Sequence, residues 1–328
     1  MALRCVVVLV LIIATLFALS ACGQNDSVYK IGVLMGSDLR GEKVEGLIDG
    51  LRRYGYIEGQ SVQYIIKNAK DKEDVLAELA LELAAQKPDV IIAAGEVEAF
   101  AAREAIQGNN IPIVFIGVGI PVEIGLVADL NEPGCSITGV DNYYVKLSGK
   151  RLEMFKKLLP DLQKVAVIYN LHRTPAEPSI GYIKEVAAEL DLELTIFPIS
   201  SQQEAVEAFR SLDENYYDGV LLLCSLLIVS VTEDMYELSV QKRLPVMGVS
   251  ETQTKMGLFA SYEASLYKMG EQAARMVDKI LKGYDACQMP VEAPSYVELS
   301  VNVETIKKLG LKVDSKILAS AGQLIGVE

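Results

Sequence analysis

The chain is poor in the side chains on which most enzyme chemistry depends. Its 328 residues include no tryptophan and one histidine, His172, and its five cysteines form no Cys-x-x-Cys pair. Any serine or cysteine nucleophile would depend on that one histidine, and a zinc site would lack its usual ligands. Positive charge is also scarce, because 31 Lys and Arg stand against 44 Asp and Glu, for a net charge of −13. Such an acidic chain repels phosphate backbones, so nucleic acid is not expected as a partner.

What the chain does have is the composition of a packed globular protein. Hydrophobic residues make up 51% of it and charged residues 23%. A disordered chain would be poorer in aliphatic side chains and richer in charge. A length of 328 residues exceeds one ordinary domain. We therefore expect two lobes or one large α/β unit.

Residues 1–21 have the features of an export signal. Arg4 precedes an apolar run over residues 5–19, which is too short for a stable membrane-spanning helix. The run ends in Leu19-Ser20-Ala21-Cys22, which resembles the lipobox of bacterial lipoproteins and implies cleavage before Cys22 and lipid attachment to it. Residues 22–28 would form a polar tether. An uncleaved anchor helix and plain secretory cleavage are the alternatives, and both leave the domain on the extracytoplasmic side of the membrane.

Short apolar strands alternate with amphipathic helices from residue 29 onward, a pattern typical of parallel sheets built from βαβ units. Residues 30–35 form the first predicted strand, and a helix with an apolar stripe through Val44, Leu47 and Leu51 follows it. Further strands are predicted at 61–67, 90–94 and 111–116, and similar segments recur 130 to 134 residues later, at 164–168, 220 and 243–248. The recurrence predicts two similar lobes in tandem, with chance similarity between βαβ segments as the alternative.

The predicted fold is therefore α/β, with two lobes of parallel sheet joined by a three-segment hinge. Turn residues mark possible crossings between the lobes at 139–144, 258–262 and 283–290. This division assigns residues 29–143 plus 262–288 to lobe 1 and residues 144–261 plus 289–328 to lobe 2. Ligands bind at the carboxyl ends of parallel strands, so the cleft between the lobes is the predicted site.

Six loops at the predicted strand ends supply candidate ligand-binding residues. Glycines let backbone N–H groups approach a ligand, helix amino termini favour an anionic group, and hydroxyls and amides add direction. The candidates are Gly36, Ser37, Gly95, Glu96, Gly117 and Val118 from lobe 1, and Tyr169, Asn170, Ser225, Ser250 and Glu251 from lobe 2. The Glu96 carboxylate would favour a ligand amine or cationic ring nitrogen, or else stabilise the first turn of its helix. Tyr143, Tyr144 and Tyr262 lie on candidate crossings, where they would stack on a planar ligand or pack the hinge.

Two glycine-rich loops fall short of nucleotide-binding motifs. In the loop over residues 36–43, Glu42 occupies the place of the phosphate-binding lysine, and a carboxylate there would repel a phosphate. Gly117-Val118-Gly119 begins a dinucleotide fingerprint, but Val122 replaces its third glycine. Tight turns explain both loops, and no Gly-x-Ser-x-Gly elbow occurs. We therefore predict no cofactor, no metal and no catalytic residue.

Several stretches together resemble a known family, the ABC-importer substrate-binding lipoproteins of the tryptophan/tyrosine-type group. The matching stretches, which extend from residue 29 to about residue 310, are Gly46-Leu47-Ile48-Asp49-Gly50-Leu51, Tyr54-Gly55-Tyr56-Ile57-Glu58-Gly59, Ile111-Pro112-Ile113-Val114-Phe115, Pro121-Val122, Gly125-Leu126-Val127, Pro133-Gly134, Thr138-Gly139-Val140, Leu158-Leu159-Pro160, Tyr169-Asn170 and Ile280-Leu281-Lys282-Gly283. The resemblance implies a type I periplasmic-binding-protein fold of two Rossmann-like lobes, no catalysis, and delivery of a solute to a membrane permease.

The sequence departs from that family's usual pattern in the cleft. Ile120 stands where an aspartate is common, Gly95-Glu96 replaces a small hydroxyl-bearing turn, and Cys224-Ser225 replaces an acid or an amide. The ligand is therefore predicted only as a small solute, with an amino-acid-like molecule as one candidate. The protein is expected to act as a lipid-anchored monomer that closes its lobes on this solute. The alternatives are a sensory module that signals to a receptor kinase and a Rossmann-type enzyme, which Glu42, Val122 and the single histidine disfavour.

Overall fold

The computed structural model describes residues 28–134, 136–171, 176–223 and 225–327, and two sheets organise them. The strands are β1 (Tyr29–Met35), β2 (Val62–Asn68), β3 (Val90–Ala93), β4 (Ile113–Val118), β5 (Ile137–Asp141), β6 (Lys164–Asn170), β7 (Glu193–Ile199), β8 (Gly219–Leu222), β9 (Val246–Gly248), β10 (Ala260–Ala264), β11 (Val297–Asn302) and β12 (Gln323–Ile325). The helices are α1 (Gly41–Arg53), α2 (Glu73–Ala85), α3 (Glu96–Ala105), α4 (Lys146–Leu158), α5 (Ala176–Glu189), α6 (Gln202–Arg210), α7 (Leu226–Ser230), α8 (Thr232–Lys242), α9 (Glu251–Lys255), α10 (Leu266–Leu281), α11 (Val303–Leu309) and α12 (Ser315–Ala319).

The first sheet is wholly parallel and belongs to lobe 1. Its strand order is β2-β1-β3-β4-β5, and the central strands carry uninterrupted apolar runs because helices cover both faces. On one face, α1 and α10 bury Leu47 and Met276 against Ile31. On the other face, α2 and α3 bury Leu83 and Ala99 against the same sheet. The order of elements from β1 to β4 follows the alternation predicted from the sequence.

The second sheet forms lobe 2, with the order β12-β11-β10-β9-β8-β6-β7. Its neighbouring strands are parallel except for the pair β10 and β11, which runs antiparallel. Helices α4 and α5 pack Phe155 and Ile183 on one face, and α6 and α8 pack Phe209 and Met235 on the other. Both lobes are therefore three-layer α/β units, as the sequence pattern predicted.

The chain passes between the two sheets three times within the described residues. The first crossing joins β5 to α4, the second joins β10 to α10, and the third joins residue 292, which pairs with Val140, to β11. These points lie a few residues from the turns that suggested them, because residues 139–141 belong to β5 and residues 260–262 to β10. The exact lobe boundaries, 29–143 plus 262–288 and 144–261 plus 289–328, stay a prediction.

Strand β5 is an element that the sequence pattern did not reveal. Its five residues include Gly139, where a Cβ atom would overlap the carbonyl oxygen and ring of Phe115 on the neighbouring strand. Glycine is therefore required here for close strand packing, whereas in sequence it looks like a turn signal. Thr138 donates a hydrogen bond to the carbonyl of Met289 at 2.9 Å, which ties this edge strand to the third crossing.

Several sequence predictions lie outside the described residues. They are the export signal over residues 1–21, the lipidation of Cys22, most of the tether, and the placements of His172 and Cys224. Within the described ranges, no helix combines the length and the apolar composition needed to cross a bilayer.

Candidate functional site

The candidate ligand-binding residues lie at the carboxyl ends of strands or at the helix starts that follow them. Gly36 and Gly95 follow β1 and β3, Gly117 and Val118 end β4, Tyr169 and Asn170 end β6, and Ser225, Ser250 and Glu251 begin α7 and α9. This edge of a parallel sheet is where ligands bind in open α/β folds. The structure therefore places the candidates along the facing edges of the two lobes.

Three of the candidate serines act as helix caps. The hydroxyl oxygens of Ser37, Ser225 and Ser250 accept hydrogen bonds from backbone N–H groups two or three residues later, at 3.2, 3.2 and 3.4 Å. Such bonds satisfy amide donors that the first turn leaves unpaired. Each serine keeps its O–H as a donor, so a cap and a ligand contact are compatible.

Glu98 is the carboxylate that enters this edge of lobe 1, although Glu96 was the predicted one. Its side chain is 0% exposed, and Oε1 accepts bonds from the Gly36 N–H and from Arg40 Nε, both at 2.9 Å. Oε2 is buried without a hydrogen-bond partner among the described residues. A Cβ atom on Gly95 would lie 2.6 Å from Oε2 and 2.9 Å from Arg40 Nη2, so both groups occupy space that only glycine leaves open.

Lys43 reaches from α1 beneath the ends of β3 and β4. Its Nζ donates to the carbonyl oxygens of Ala94 at 3.1 Å and Ile116 at 2.9 Å. Gly117 has φ +76°, and a Cβ atom there would lie 2.7 Å from Nζ, so both the backbone conformation and the space require glycine. Burial lowers the pKa of Lys43 to about 7, and the charge of Arg40 lowers it further while Glu98 and Glu263 oppose this.

Two predicted residues point elsewhere. The Glu96 side chain is exposed on the first turn of α3, in agreement with its alternative role there. Val118 is fully buried in the core beside Phe115, so its side chain does not face the cleft, although its carbonyl accepts a bond from Asn142 N–H at 3.3 Å. Alternation along β4 explains this, because successive side chains point to opposite faces.

Arg151 links two of the crossings. Its side chain is buried, with 1% exposure, and donates Nε to the Tyr262 carbonyl at 2.8 Å and Nη1 to the Tyr144 carbonyl at 3.3 Å. The guanidinium carbon also stands 4.9 Å from the centre of the Tyr144 ring. The Tyr144 hydroxyl is buried and has no partner among the described residues. Burial lowers the pKa of Arg151 to about 10, which still leaves the guanidinium charged.

Glu263 lies near the end of β10, at the second crossing. It is half-buried, and its Oε1 accepts a bond from the N–H of Glu251 at the start of α9. Burial raises its pKa to about 7, against the opposing effects of that bond and the charge of Arg151. Burial also raises the pKa of Asp141, at the first crossing, to about 6.

The tyrosines divide between packing and the cleft rim. Tyr262 packs against the cores of both lobes, which is the packing role proposed as its alternative, and Tyr169 packs against the core of lobe 2. Tyr143 packs against the lobe 1 core and carries the Lys146 ammonium 4.4 Å from its ring centre. Asn170 is partly exposed at the end of β6. Tyr144 is therefore the aromatic side chain with an unsatisfied polar group at the hinge.

The site is electrostatically mixed, and sequence reasoning missed its buried members. Lys43, Glu98 and Glu263 were not candidates, because their partners lie 50 or more residues away or in the other lobe. One signal was available, since a glutamate inside the short strand β10 is unusual for a buried position. Among the described residues, no group of three His, Cys, Asp or Glu side chains could hold a metal ion.

Comparison with known proteins gives a consistent result. A family model described as "ABC transporter substrate binding protein" matches residues 30–325. A tyrosine-binding protein of Clostridioides difficile (strain R20291) is 28% identical over 269 residues, which cover 82% of this chain and 76% of that protein.

Solved structures resemble the whole mature fold. The ligand-free, open structure of a substrate-binding protein with adhesive properties from Clostridium difficile has a TM-score of 0.79 at 24% identity and covers 92% of this chain and 100% of its own. An ABC domain in complex with L-Trp from Streptococcus pneumonia has a TM-score of 0.76 at 22% identity and covers 91% of this chain and 100% of its own. The predicted type I periplasmic-binding-protein fold is thereby confirmed.

Proposed function

Because the chain belongs to the family of ABC transporter substrate-binding proteins, we propose that it captures a free amino acid between its two lobes and delivers it to a membrane permease. Members of this family bind solutes and act outside the cytoplasm, and they are not enzymes. The predicted function as a substrate-binding protein is thus confirmed. The amino acid as ligand is the new element.

Two relatives support the choice of an amino acid. One is named a tyrosine-binding protein, and another was crystallised with L-Trp. Both names describe those proteins, and they suggest which ligands to test here first. A tyrosine or tryptophan side chain would also find an aromatic partner at the hinge in Tyr144, whose ring borders the cleft.

The observation that carries the proposal is a set of buried charges of both signs along the cleft. Lys43 and Arg151 supply positive charge, and Glu98 and Glu263 supply negative charge, yet among the described residues only Glu98 has an ion-pair partner, Arg40. Buried charges are normally paired, because an isolated ion loses its hydration. A zwitterion brings a carboxylate and an ammonium and so complements both signs at once.

Binding of an amino acid is expected to raise the melting temperature. A ligand at about 100 times its Kd adds about 2.7 kcal/mol to the stability of the folded state, which corresponds to a rise of about 5 °C or more for a chain of this size. The measurement is a dye-based thermal shift with each of the twenty L-amino acids, since the chain has no tryptophan for intrinsic fluorescence. Mass spectrometry is expected to recover the amino acid unchanged. No shift with any of the twenty, or the appearance of a product, contradicts the proposal.

We further propose that Cys22 carries the lipid anchor and that the protein acts as a monomer, because one chain supplies both walls of the cleft. Replacing Cys22 by alanine is expected to move most of the protein from the membrane fraction to the soluble fraction, since stable anchorage requires more than one acyl chain. Immunoblots of fractionated cells measure the distribution. Cys5→Ala, in the apolar run of the signal, is the matched control and should leave the protein in the membrane fraction. Equal partition of Cys22→Ala and the unchanged chain would refute the anchor.

A further inference from the structure

We propose that Glu98 of lobe 1 and Glu263 of lobe 2 are specificity-determining residues that together accept a positively charged amine of the ligand. This inference rests on the proposed function, because it assigns the recognition of the amino acid's ammonium group. Neither residue was a candidate from the sequence, and nothing in the fold alone requires a carboxylate at either place.

Glu98 offers an acceptor that the protein leaves unused. Oε1 already takes the Gly36 N–H and Arg40 Nε, whereas Oε2 is buried with no donor among the described residues. An ionised carboxylate has room for about four hydrogen bonds, and buried polar atoms without a partner are rare in native structures. An ammonium group carries three N–H donors and a compensating charge, so it satisfies what Oε2 lacks.

The space beside Glu98 permits such an approach. Gly95 has no side chain, and a Cβ atom there would collide with Oε2 at 2.6 Å. Arg40 roofs the same space, but its side chain is 35% exposed and is held to Glu98 through Nε. Arg40 can therefore turn outward and admit a ligand group to Oε2.

Glu263 is the counterpart on lobe 2. It accepts one hydrogen bond, from the Glu251 N–H, and forms no ion pair within the part of the chain that the structure describes. The charged groups that act on it from the neighbouring elements are Arg151 of α4, Glu42 and Lys43 of α1, and Glu251 and Lys255 of α9, with Glu298 directly opposite on β11. Three carboxylates therefore surround it, which favours an added cation.

Lys43 places the two carboxylates in one region of the cleft. Both Glu98 and Glu263 act electrostatically on its ammonium, although one belongs to lobe 1 and the other to lobe 2. Lys43 itself is a poor counter-ion, because its donors bind the Ala94 and Ile116 carbonyls and burial lowers its pKa to about 7. A ligand amine that contacts both carboxylates would draw the lobes together and couple recognition to closure.

The test compares amino acids with their des-amino analogues by calorimetry at pH 7.5. The probes are L-tyrosine with 3-(4-hydroxyphenyl)propanoate and L-tryptophan with indole-3-propanoate, together with any other amino acid of the twenty that binds and its own des-amino acid. The unchanged chain should bind the des-amino acid about 100-fold more weakly, as expected for loss of a charged hydrogen-bond donor from a buried site. This comparison needs no variant and is independent of folding defects.

Two variants and two matched controls then assign the residues. Glu98→Gln and Glu263→Gln should each weaken amino acid binding by about 10-fold or more while changing des-amino acid binding by less than about 3-fold. Glu96→Gln, exposed on the same turn as Glu98, and Glu298→Gln, opposite Glu263 on β11, should stay within about 2-fold of the unchanged chain. Melting temperatures without ligand identify any variant that misfolds.

The possible outcomes separate this inference from the proposed function. If an amino acid binds but the des-amino acid binds equally well, or both variants bind like the unchanged chain, the inference fails and the proposed function stands. If none of the twenty amino acids binds, both fail. Equal weakening of amino acid and des-amino acid by Glu98→Gln and Glu263→Gln would assign the residues a structural role and also overturn the inference.

Discussion

Replacing Gly46 or Gly270 by alanine is expected to lower the free energy of unfolding by about 3 kcal/mol. These glycines lie where α1 and α10 cross. A Cβ atom on Gly46 would overlap the carbonyl oxygen of Tyr267, and one on Gly270 would overlap the carbonyl oxygen of Lys43. The obstacle in each case is helix backbone, which cannot turn aside as a side chain can, so the two helices would have to separate and open the core between them.

Gly181→Ala in α5 is the matched control, because nothing lies within 4 Å of its added Cβ atom. Alanine is the better helix former, so this change should stabilise the protein by about 0.5 to 1 kcal/mol. Denaturant unfolding followed by circular dichroism measures all three variants. A Gly270→Ala protein as stable as the unchanged chain would show that the two helices do not meet at this glycine.

Glu263→Gln is expected to stabilise the ligand-free protein by about 2 kcal/mol at pH 8, and by less than half as much at pH 5. Burial raises the pKa of Glu263 from 4.5 to about 7. The folded state therefore holds the proton more tightly than the unfolded state, and stability falls as pH rises from 4.5 to 7. Above pH 7 the charged carboxylate exerts its full cost, which glutamine removes. Below 4.5 both states are protonated and the difference vanishes.

Unfolding curves of the unchanged chain and of Glu263→Gln across pH 5 to 8 measure this difference. Lys43 and Asp141 also titrate in this range, but their contributions are common to both proteins and largely cancel in the comparison. Glu298→Gln, opposite on β11, serves as the control for a carboxylate removed at the same pair of strands. A stabilisation that stays constant with pH would mean that Glu263 does not titrate with a raised pKa.

The order of strands and helices was predictable because it depends on local periodicity. The apolar runs of β1, β3 and β4 and the stripe on α1 are visible in short windows of sequence. Strand β5 was not predictable, because Gly139 serves close packing against Phe115, a contact between residues far apart in the chain. The crossing points shifted for a related reason, since hydrogen bonds between distant strands decide where each strand ends.

The candidate site was predictable as a place and less so as a set of side chains. Strand ends and helix caps such as Ser225 and Ser250 follow from local sequence, and they lie where expected. Which of Glu96 and Glu98 turns inward depends on how α3 packs on the sheet, and the burial of Lys43 depends on the carbonyls of two other strands. Charges that are satisfied across 50 or more residues leave no local pattern to recognise.

Helix α10 also determines when the first lobe can be finished as the protein is made. Its residues Met269, Ala273 and Met276 complete the core beside α1, yet it follows almost the whole of the second sheet in the chain. A nascent chain that has emerged only as far as residue 265 therefore leaves one side of its amino-terminal sheet uncovered. Synthesis order thus keeps the amino-terminal half incomplete until most of its companion has been translated.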